Sequence, residues 1–360
     1  MAKGWFFPLY ELRENLFRVL LSILIGLIGA KFFIYLRLPM PWMLGPIFTA
    51  TLASLLGMRI FVPIWIKSLM IMVIGVLFGT TVSPELIGQL ILWIPSMIGV
   101  LLYLLIVIPP IVFYLIKVAK YDFVTAYFSA SPGGIIPMMV MGGAMGGDER
   151  KIFLLQSTRM ILTVITIPMA FRLFTEYEPS GMVVTGGSFQ NINIINGTLM
   201  IAVALFGYAI AKLLKIPAPH LIGPMISISL LSLTGISNLE VSDDLVAIAQ
   251  LIIGSSIGTL FNDIKVKEAS IVLMQGLVIA STMIIIACLS AWIVHILTNQ
   301  PIKPLILAFA PGGFTEMSIV GFGLGIESAF VFAHQMVRYL FLVSLIPACY
   351  QHIRKLIYRD

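Results

Sequence analysis

The sequence has 360 residues, of which 59% are hydrophobic and only 11% are charged, and its mean hydropathy is +1.06. These values exclude a water-soluble globular protein and are typical of a chain that lies mostly in a lipid bilayer. The net charge of +6 does not indicate nucleic-acid binding, because the basic residues are scattered over short loops between apolar stretches.

The first half of the chain contains five candidate membrane spans and one interrupted segment. Residues 16–35 form the first apolar stretch, and no small-x-small cleavage site follows it, so we interpret it as a retained helix and not as a signal peptide. A second span follows Pro39-Met-Pro41, a third contains a pair of glycines, and a fourth, residues 86–116, exceeds the roughly 20 residues that a crossing requires. The segment around Pro132-Gly-Gly134 then precedes the last span.

The second half repeats this order, which indicates an internal duplication. The sequence LRLPMPWMLGP at residues 36–46 is echoed by LKIPAPHLIGP at residues 214–224. Further along, Ser131-Pro-Gly-Gly134 matches Ala310-Pro-Gly-Gly313, and Gln156 and Arg159 match Gln335 and Arg338. The predicted repeats are residues 15–176 and 195–352, and residues 177–194 form a linker without a hydrophobic period.

The number of membrane crossings depends on the Pro-Gly-Gly segments. If each is a re-entrant or broken helix, each half crosses five times and the second half is inverted, whereas a tight loop between two complete spans gives six crossings per half. The five-crossing arrangement places 16 Lys and Arg residues in cytoplasmic loops and three outside, but the alternative moves Arg150 and Lys151 outside. We therefore predict an all-α integral membrane protein with about ten transmembrane helices and two broken helices, arranged as two inverted five-span repeats. Residues 1–14 and 353–360 would be cytoplasmic, and the linker external.

The two Pro-Gly-Gly segments have the composition of an anion-binding site. Proline ends the incoming half-helix, the glycines permit a turn, and the outgoing half-helix presents free amide groups with a partial positive charge. In an inverted repeat, the two tips would approach each other near the middle of the membrane.

Buried charges in the predicted spans point to the same region. Arg159 and Arg338 lie near the centre of the last span of each half, where an unpaired charge costs several kcal/mol, so each arginine needs an anion or a wet cavity. Glu316, whose counterpart is Pro137, would carry a coupling proton, or it would form a permanent salt bridge with Arg338. The predicted substrate-binding and ion-binding residues are Ser131, Pro132, Gly133, Gly134, Gln156, Arg159, Pro311, Gly312, Gly313, Thr315, Glu316, His334, Gln335 and Arg338.

Four motifs carry a resemblance to a known family: LPMPWMLGP, SPGGI, APGGFTEMS and FVFAHQMVRYLFLVSLIPACY. They resemble the bacterial AbrB-type membrane proteins, often labelled ammonia monooxygenase, over nearly the whole chain. That family is similar in organisation to the cation:proton antiporter and anion transporter superfamily, so the resemblance implies inverted repeats, broken helices and elevator-type movement. We do not expect an enzyme, because a copper monooxygenase needs clustered histidines and the four in this chain are not within ligand spacing.

We therefore expect a secondary active transporter in the bacterial inner membrane, which moves a small organic anion such as a carboxylate together with H⁺ or Na⁺. We expect neither a cofactor nor a metal site, and no nucleic-acid partner. Small residues at helix surfaces are compatible with a homodimer. Two alternatives stay open: a membrane sensor or regulator that binds a ligand without moving it, and a cation/proton antiporter that uses Glu316 alone.

Overall fold

The computed structural model describes residues 7–82, 88–174, 194–216, 218–234, 241–262, 264 and 266–357. Within these residues all regular secondary structure is helical, which confirms the all-α prediction. The first half forms α1 (Phe7–Tyr35), α2 (Pro41–Leu55), α3 (Ile64–Thr80), α4 (Ile94–Lys117), α5 (Phe123–Ala130), α6 (Ile135–Ala144) and α7 (Glu149–Phe174). The second half forms α8 (Ile194–Leu213), α9 (Pro219–Leu233), α10 (Asp243–Gly258), α11 (Val266–Thr298), α12 (Ile302–Phe309), α13 (Phe314–Gly323) and α14 (Ser328–Ile357).

Seven helices of the described chain, namely α1, α4, α7, α8, α10, α11 and α14, are long and apolar enough to cross a membrane. The chain is therefore an integral membrane protein. Helices α2, α3 and α9 have 15, 17 and 15 residues, which is shorter than a typical span. The count of ten crossings and the inversion of the second repeat stay predictions. Nearly all of the predicted linker, together with residues 1–6 and 358–360, lies outside the described residues.

The chain divides into two compact units, and each unit combines helices from both sequence repeats. Unit 1 comprises Met1–Leu90, Pro168–Val266 and Phe322–Gly325, and unit 2 comprises Ile91–Ile167, Lys267–Gly321 and Ile326–Asp360. Unit 1 therefore contains the first three helices of each repeat. Unit 2 contains both Pro-Gly-Gly segments and most of the helix that follows each of them.

The duplication is visible in how the helices of unit 1 pack. Helix α2 packs against α10, and α9 packs against α3. The second helix of each repeat therefore packs against the third helix of the other repeat. A Cβ atom on Gly75 would lie 2.5 Å from the carbonyl oxygen of Leu221, and one on Gly254 would lie 2.6 Å from that of Met43. These distances are too short for any side chain, so the two matched glycines permit equivalent close contacts between helices.

In unit 2, aspartates cap the N-termini of two helices of the first repeat. These are α5, which leads into the first Pro-Gly-Gly segment, and α7, the last long helix of that repeat. The Oδ1 atom of Asp122 accepts a hydrogen bond from the backbone N–H of Thr125 at 2.8 Å at the start of α5. Asp148 accepts one from the backbone N–H of Lys151 at 3.1 Å at the start of α7. Both are N-cap interactions, which satisfy amide groups that have no partner within the helix.

Candidate functional site

Each Pro-Gly-Gly segment interrupts a helix at four residues. In the first half, α5 ends at Ala130 and α6 begins at Ile135; in the second half, α12 ends at Phe309 and α13 begins at Phe314. The helices on either side have 8 and 10 residues in both halves, so none of them is long enough to cross a membrane alone. This geometry favours two broken helices over tight loops between complete spans. We call residues 131–134 tip 1 and residues 310–313 tip 2.

The two matched glutamines satisfy carbonyl groups at the end of each incoming half-helix. In the first half, Nε2 of Gln156 donates to the carbonyl oxygens of Phe128 and Ser131, at 2.8 and 2.7 Å. In the second half, Nε2 of Gln335 donates to the carbonyl oxygens of Leu307, Ala308 and Ala310, at 2.8, 3.3 and 3.1 Å. The last carbonyls of a helix have no partner within it, so these side chains allow each helix to end inside the protein.

The two arginines are equally buried, but their hydrogen bonds differ. Each is only 2% exposed. Arg338 donates from Nη1 to the carbonyl oxygen of Ala310 at 2.5 Å and from Nη2 to that of Gly312 at 2.6 Å, which ties it to tip 2. Arg159 donates from Nη2 to Oε1 of Gln156 at 2.8 Å, while its Nε and Nη1 have no hydrogen-bond partner among the described residues.

The positive charges of Arg159 and Arg338 lie close enough to repel each other, and the Tyr103 side chain of α4 lies within electrostatic range of both. Among the described residues, neither arginine forms an ion pair with a carboxylate. A guanidinium group stays protonated in proteins, so this part of unit 2 holds two fixed positive charges. The arrangement can accept an anion from elsewhere.

Glu316 lies in the first turn of α13, next to tip 2, and its side chain is half-buried. Its carboxylate folds back over Gly313, in the space that a Cβ atom on that glycine would occupy. A negative charge is favourable at this position because the amide end of a helix carries a partial positive charge. The permanent Glu316–Arg338 salt bridge that the sequence left open is not formed, since Arg338 contacts backbone carbonyls instead. Thr315, beside Glu316, is buried.

His334 is fully buried, and its hydrogen-bonding partners are not on the tips. Its Nδ1 lies 2.8 Å from the carbonyl oxygen of Phe330, and its Nε2 lies 2.8 Å from Oγ of Ser96 in α4. Nδ1 must donate to the carbonyl, so in the neutral ring Nε2 is an acceptor that faces the Ser96 hydroxyl, whose oxygen also lies 2.8 Å from the carbonyl oxygen of Trp93. Ser96, which is 238 positions away in the sequence, was not predicted, and no local pattern would have indicated it.

Tyr339 of α14 contacts tip 1 and the residue that follows tip 2, and it was also not predicted. A Cβ atom on Gly134 would lie 3.1 Å from Cε2 of Tyr339. The ring of Phe314, the residue after tip 2, lies 5.3 Å from the ring of Tyr339, measured between centroids. Tip 1 and the first residue of α13 therefore both lie against one aromatic side chain. Its counterpart in the first repeat is Met160, and this difference between the repeats is the sequence signal that could have identified it.

The fold and this site define an all-α integral membrane protein with two broken helices and two buried arginines in one compact unit. Over residues 42–354 the chain matches the family model described as "Transition state regulatory protein AbrB". The chain therefore belongs to the AbrB family. It is 25% identical to the "Uncharacterized protein YhjN" of Bacillus subtilis (strain 168), with 95% of each chain covered. It is 22% identical to the "Putative regulator AbrB" of Escherichia coli (strain K12), with 88% of this chain and 90% of the relative covered.

Proposed function

We propose that the protein is a secondary active transporter of a small organic anion, such as a carboxylate, in the bacterial inner membrane. The observation that carries the proposal is the Arg159 guanidinium, which is 2% exposed and has two nitrogen atoms without a partner among the described residues. A buried charge without a counter-ion is strongly unfavourable, so such a group indicates a site that an anion occupies during function.

The anion would bind at tip 1, where the helix that follows also has donors available. Within the part of the chain that the structure describes, no side chain caps the N-terminus of α6, so its first amide groups can donate to anionic oxygens. Nε and Nη1 of Arg159 would supply charge-assisted hydrogen bonds. Gln156 would act as a positioning residue, because it joins Arg159 to the end of α5.

Coupling to H⁺ or Na⁺ is assigned in this proposal to Glu316. It is the acidic residue nearest to tip 2, and it has no counterpart at Pro137 in the first repeat. Binding of H⁺ or Na⁺ to its carboxylate would change the charge of the site by one unit while the anion is bound. Elevator-like alternating access completes the proposal, with unit 2 as the mobile body because it carries both tips.

The first test is ligand binding and uptake by Arg159→Gln. In purified protein, acetate, pyruvate, succinate, malate and citrate would be screened by thermal shift, and radiolabelled forms of those that stabilise the protein would be used for uptake into proteoliposomes. We expect Arg159→Gln to weaken binding about 100-fold or more, since it removes two hydrogen bonds to a charged group that contribute about 1.5–3 kcal/mol each. The matched control is Arg172→Gln, which changes an arginine near the other end of α7. Equal binding by Arg159→Gln and wild type would contradict the proposal.

A second candidate function is a membrane regulator that binds the same anion without moving it. It is favoured by the family description and by the name of the Escherichia coli relative, both of which refer to regulation. The two functions differ in one measurement. A transporter accumulates the stabilising anion inside proteoliposomes when a proton or sodium gradient is imposed, whereas a regulator binds it with the same dependence on Arg159 and shows no uptake.

A further inference from the structure

Tyr339 lies between tip 1 and the first residue of the helix that follows tip 2. Its ring contacts Gly134 of tip 1 on one edge and packs against Phe314 beside tip 2. The residue before it, Arg338, donates hydrogen bonds to two carbonyl groups of tip 2. These bonds fix the position of the α14 backbone at Tyr339 relative to that tip. A ligand held between the tips would therefore lie next to this side chain.

The hydroxyl group of Tyr339 differs from those of Tyr103 and Tyr127, two buried tyrosines of unit 2. Tyr103 and Tyr127 are buried, and their hydroxyls donate to the carbonyl oxygens of Met283 and Ile346, at 3.4 and 3.2 Å. The Tyr339 side chain is half-buried, and its hydroxyl forms no hydrogen bond with any residue that the structure describes. A tyrosine hydroxyl at a partly dry position usually has a partner, so this donor is available to a ligand.

The tips present few other neutral donors on a side chain. Proline and glycine side chains offer none, the Ser131 hydroxyl of tip 1 already donates to the carbonyl oxygen of Tyr127 at 2.8 Å, and Glu316 beside tip 2 is an acceptor when ionised. In the first repeat the position that matches Tyr339 holds Met160, which has no donor. Of the two matched positions, only the one in the second repeat therefore carries a phenol hydroxyl.

We infer that Tyr339 is a further ligand-binding residue, whose hydroxyl donates a hydrogen bond to a carboxylate oxygen of the anion held between tip 1 and tip 2. This inference rests on the proposed function, because it assumes that an anion binds there. Arg159 supplies the charge, and Tyr339 adds a directional contact from α14. The anion then bridges the last helices of both repeats, which are α7 and α14.

The test compares Tyr339→Phe with wild type in the purified full-length protein. Binding of acetate, pyruvate, succinate, malate and citrate would be measured by isothermal titration calorimetry, and unfolding temperatures would be recorded without ligand. Tyr339→Phe keeps the ring and its packing, so we expect an unchanged unfolding temperature and a Kd about 3- to 10-fold higher. The matched control is Tyr127→Phe, which removes a hydroxyl bonded within the protein and should leave the Kd unchanged.

The outcomes separate this inference from the proposal on which it rests. If wild type binds a carboxylate, Arg159→Gln loses it and Tyr339→Phe binds it as tightly as wild type, only the role of Tyr339 is overturned. If wild type binds none of the five carboxylates, the proposed function fails and the inference fails with it. A loss of affinity in Tyr339→Phe that Tyr127→Phe does not share supports the inference.

Discussion

The two broken helices of unit 2 share a plan but differ in how their polar groups are used. At tip 2, Gln335 and Arg338 together donate to four carbonyl groups, so the incoming half-helix and the turn are both tied to α14. At tip 1, Gln156 donates to two carbonyl groups and the backbone N–H of Gly133 donates to the carbonyl oxygen of Ser131 at 2.8 Å, while Nε and Nη1 of Arg159 have no partner among the described residues. Both Nη atoms of Arg338 are used by the turn and only its Nε has no partner among the described residues, whereas Arg159 makes one hydrogen bond, to Gln156.

The helices that follow the two tips differ in charge. The helix after tip 2 carries Glu316 in its first turn, whereas the helix after tip 1 has Pro137 at that position. The amide end of α13 therefore already has a negative charge beside it, but the amide end of α6 has none. A duplicated pair of broken helices can thus separate the binding of an anion from the binding of a coupling ion without changing the fold.

The largest expected effect tests whether Arg338 is the structural arginine. Arg338→Ala leaves the carbonyls of Ala310 and Gly312 without these donors in a buried turn, and we expect it to lower the free energy of unfolding by about 3 kcal/mol or more. Arg159→Ala removes a charge without a counter-ion and breaks one hydrogen bond, so its effect should be smaller. Urea titration in detergent measures both. If the two variants lose the same free energy of unfolding, Arg338 does not stabilise the fold more than Arg159 does.

A smaller difference is expected between matched glycines of the two tips. Gly134 has a φ angle of +97°, and a Cβ atom there would also press on the Tyr339 ring. Gly134→Ala should therefore lower the free energy of unfolding by about 1–3 kcal/mol. Gly313→Ala would meet the end of the Glu316 side chain, which can rotate away, so we expect a loss of less than about 1 kcal/mol. Thermal unfolding of both variants gives the comparison, and a larger loss in Gly313→Ala would contradict it.

The sequence allowed the broken helices to be predicted because their signals are local. Proline followed by two glycines stops a helix wherever it occurs, and the duplication showed that both copies keep a glutamine and an arginine at one spacing. Each glutamine donates to carbonyl groups of its own incoming half-helix. Residue type and spacing were therefore enough to identify the two polar side chains beside each tip.

The division of roles between the arginines could not be predicted in this way. Both arginines follow a matched glutamine at the same spacing, yet Arg338 donates to two carbonyl groups of tip 2 whereas Arg159 donates to the side chain of Gln156. The contact between His334 and Ser96 could not be predicted either, because the two residues are distant in sequence and lie on different helices. The composition of the compact units also follows from packing between repeats, which sequence order does not reveal.

The smallest expected effect on stability concerns Glu316. Glu316→Gln keeps the size of the side chain and makes the helix after tip 2 uncharged, like the helix after tip 1. Because a carboxylate near an exposed helix N-terminus contributes about 0.3–1 kcal/mol, the unfolding temperature should fall only slightly. Anion binding should persist, since Arg159 is unchanged, but an imposed pH or sodium gradient should no longer accelerate uptake into proteoliposomes. If the gradient still drives uptake in Glu316→Gln, the coupling ion binds elsewhere, and the charge difference between the tips serves the stability of α13 alone.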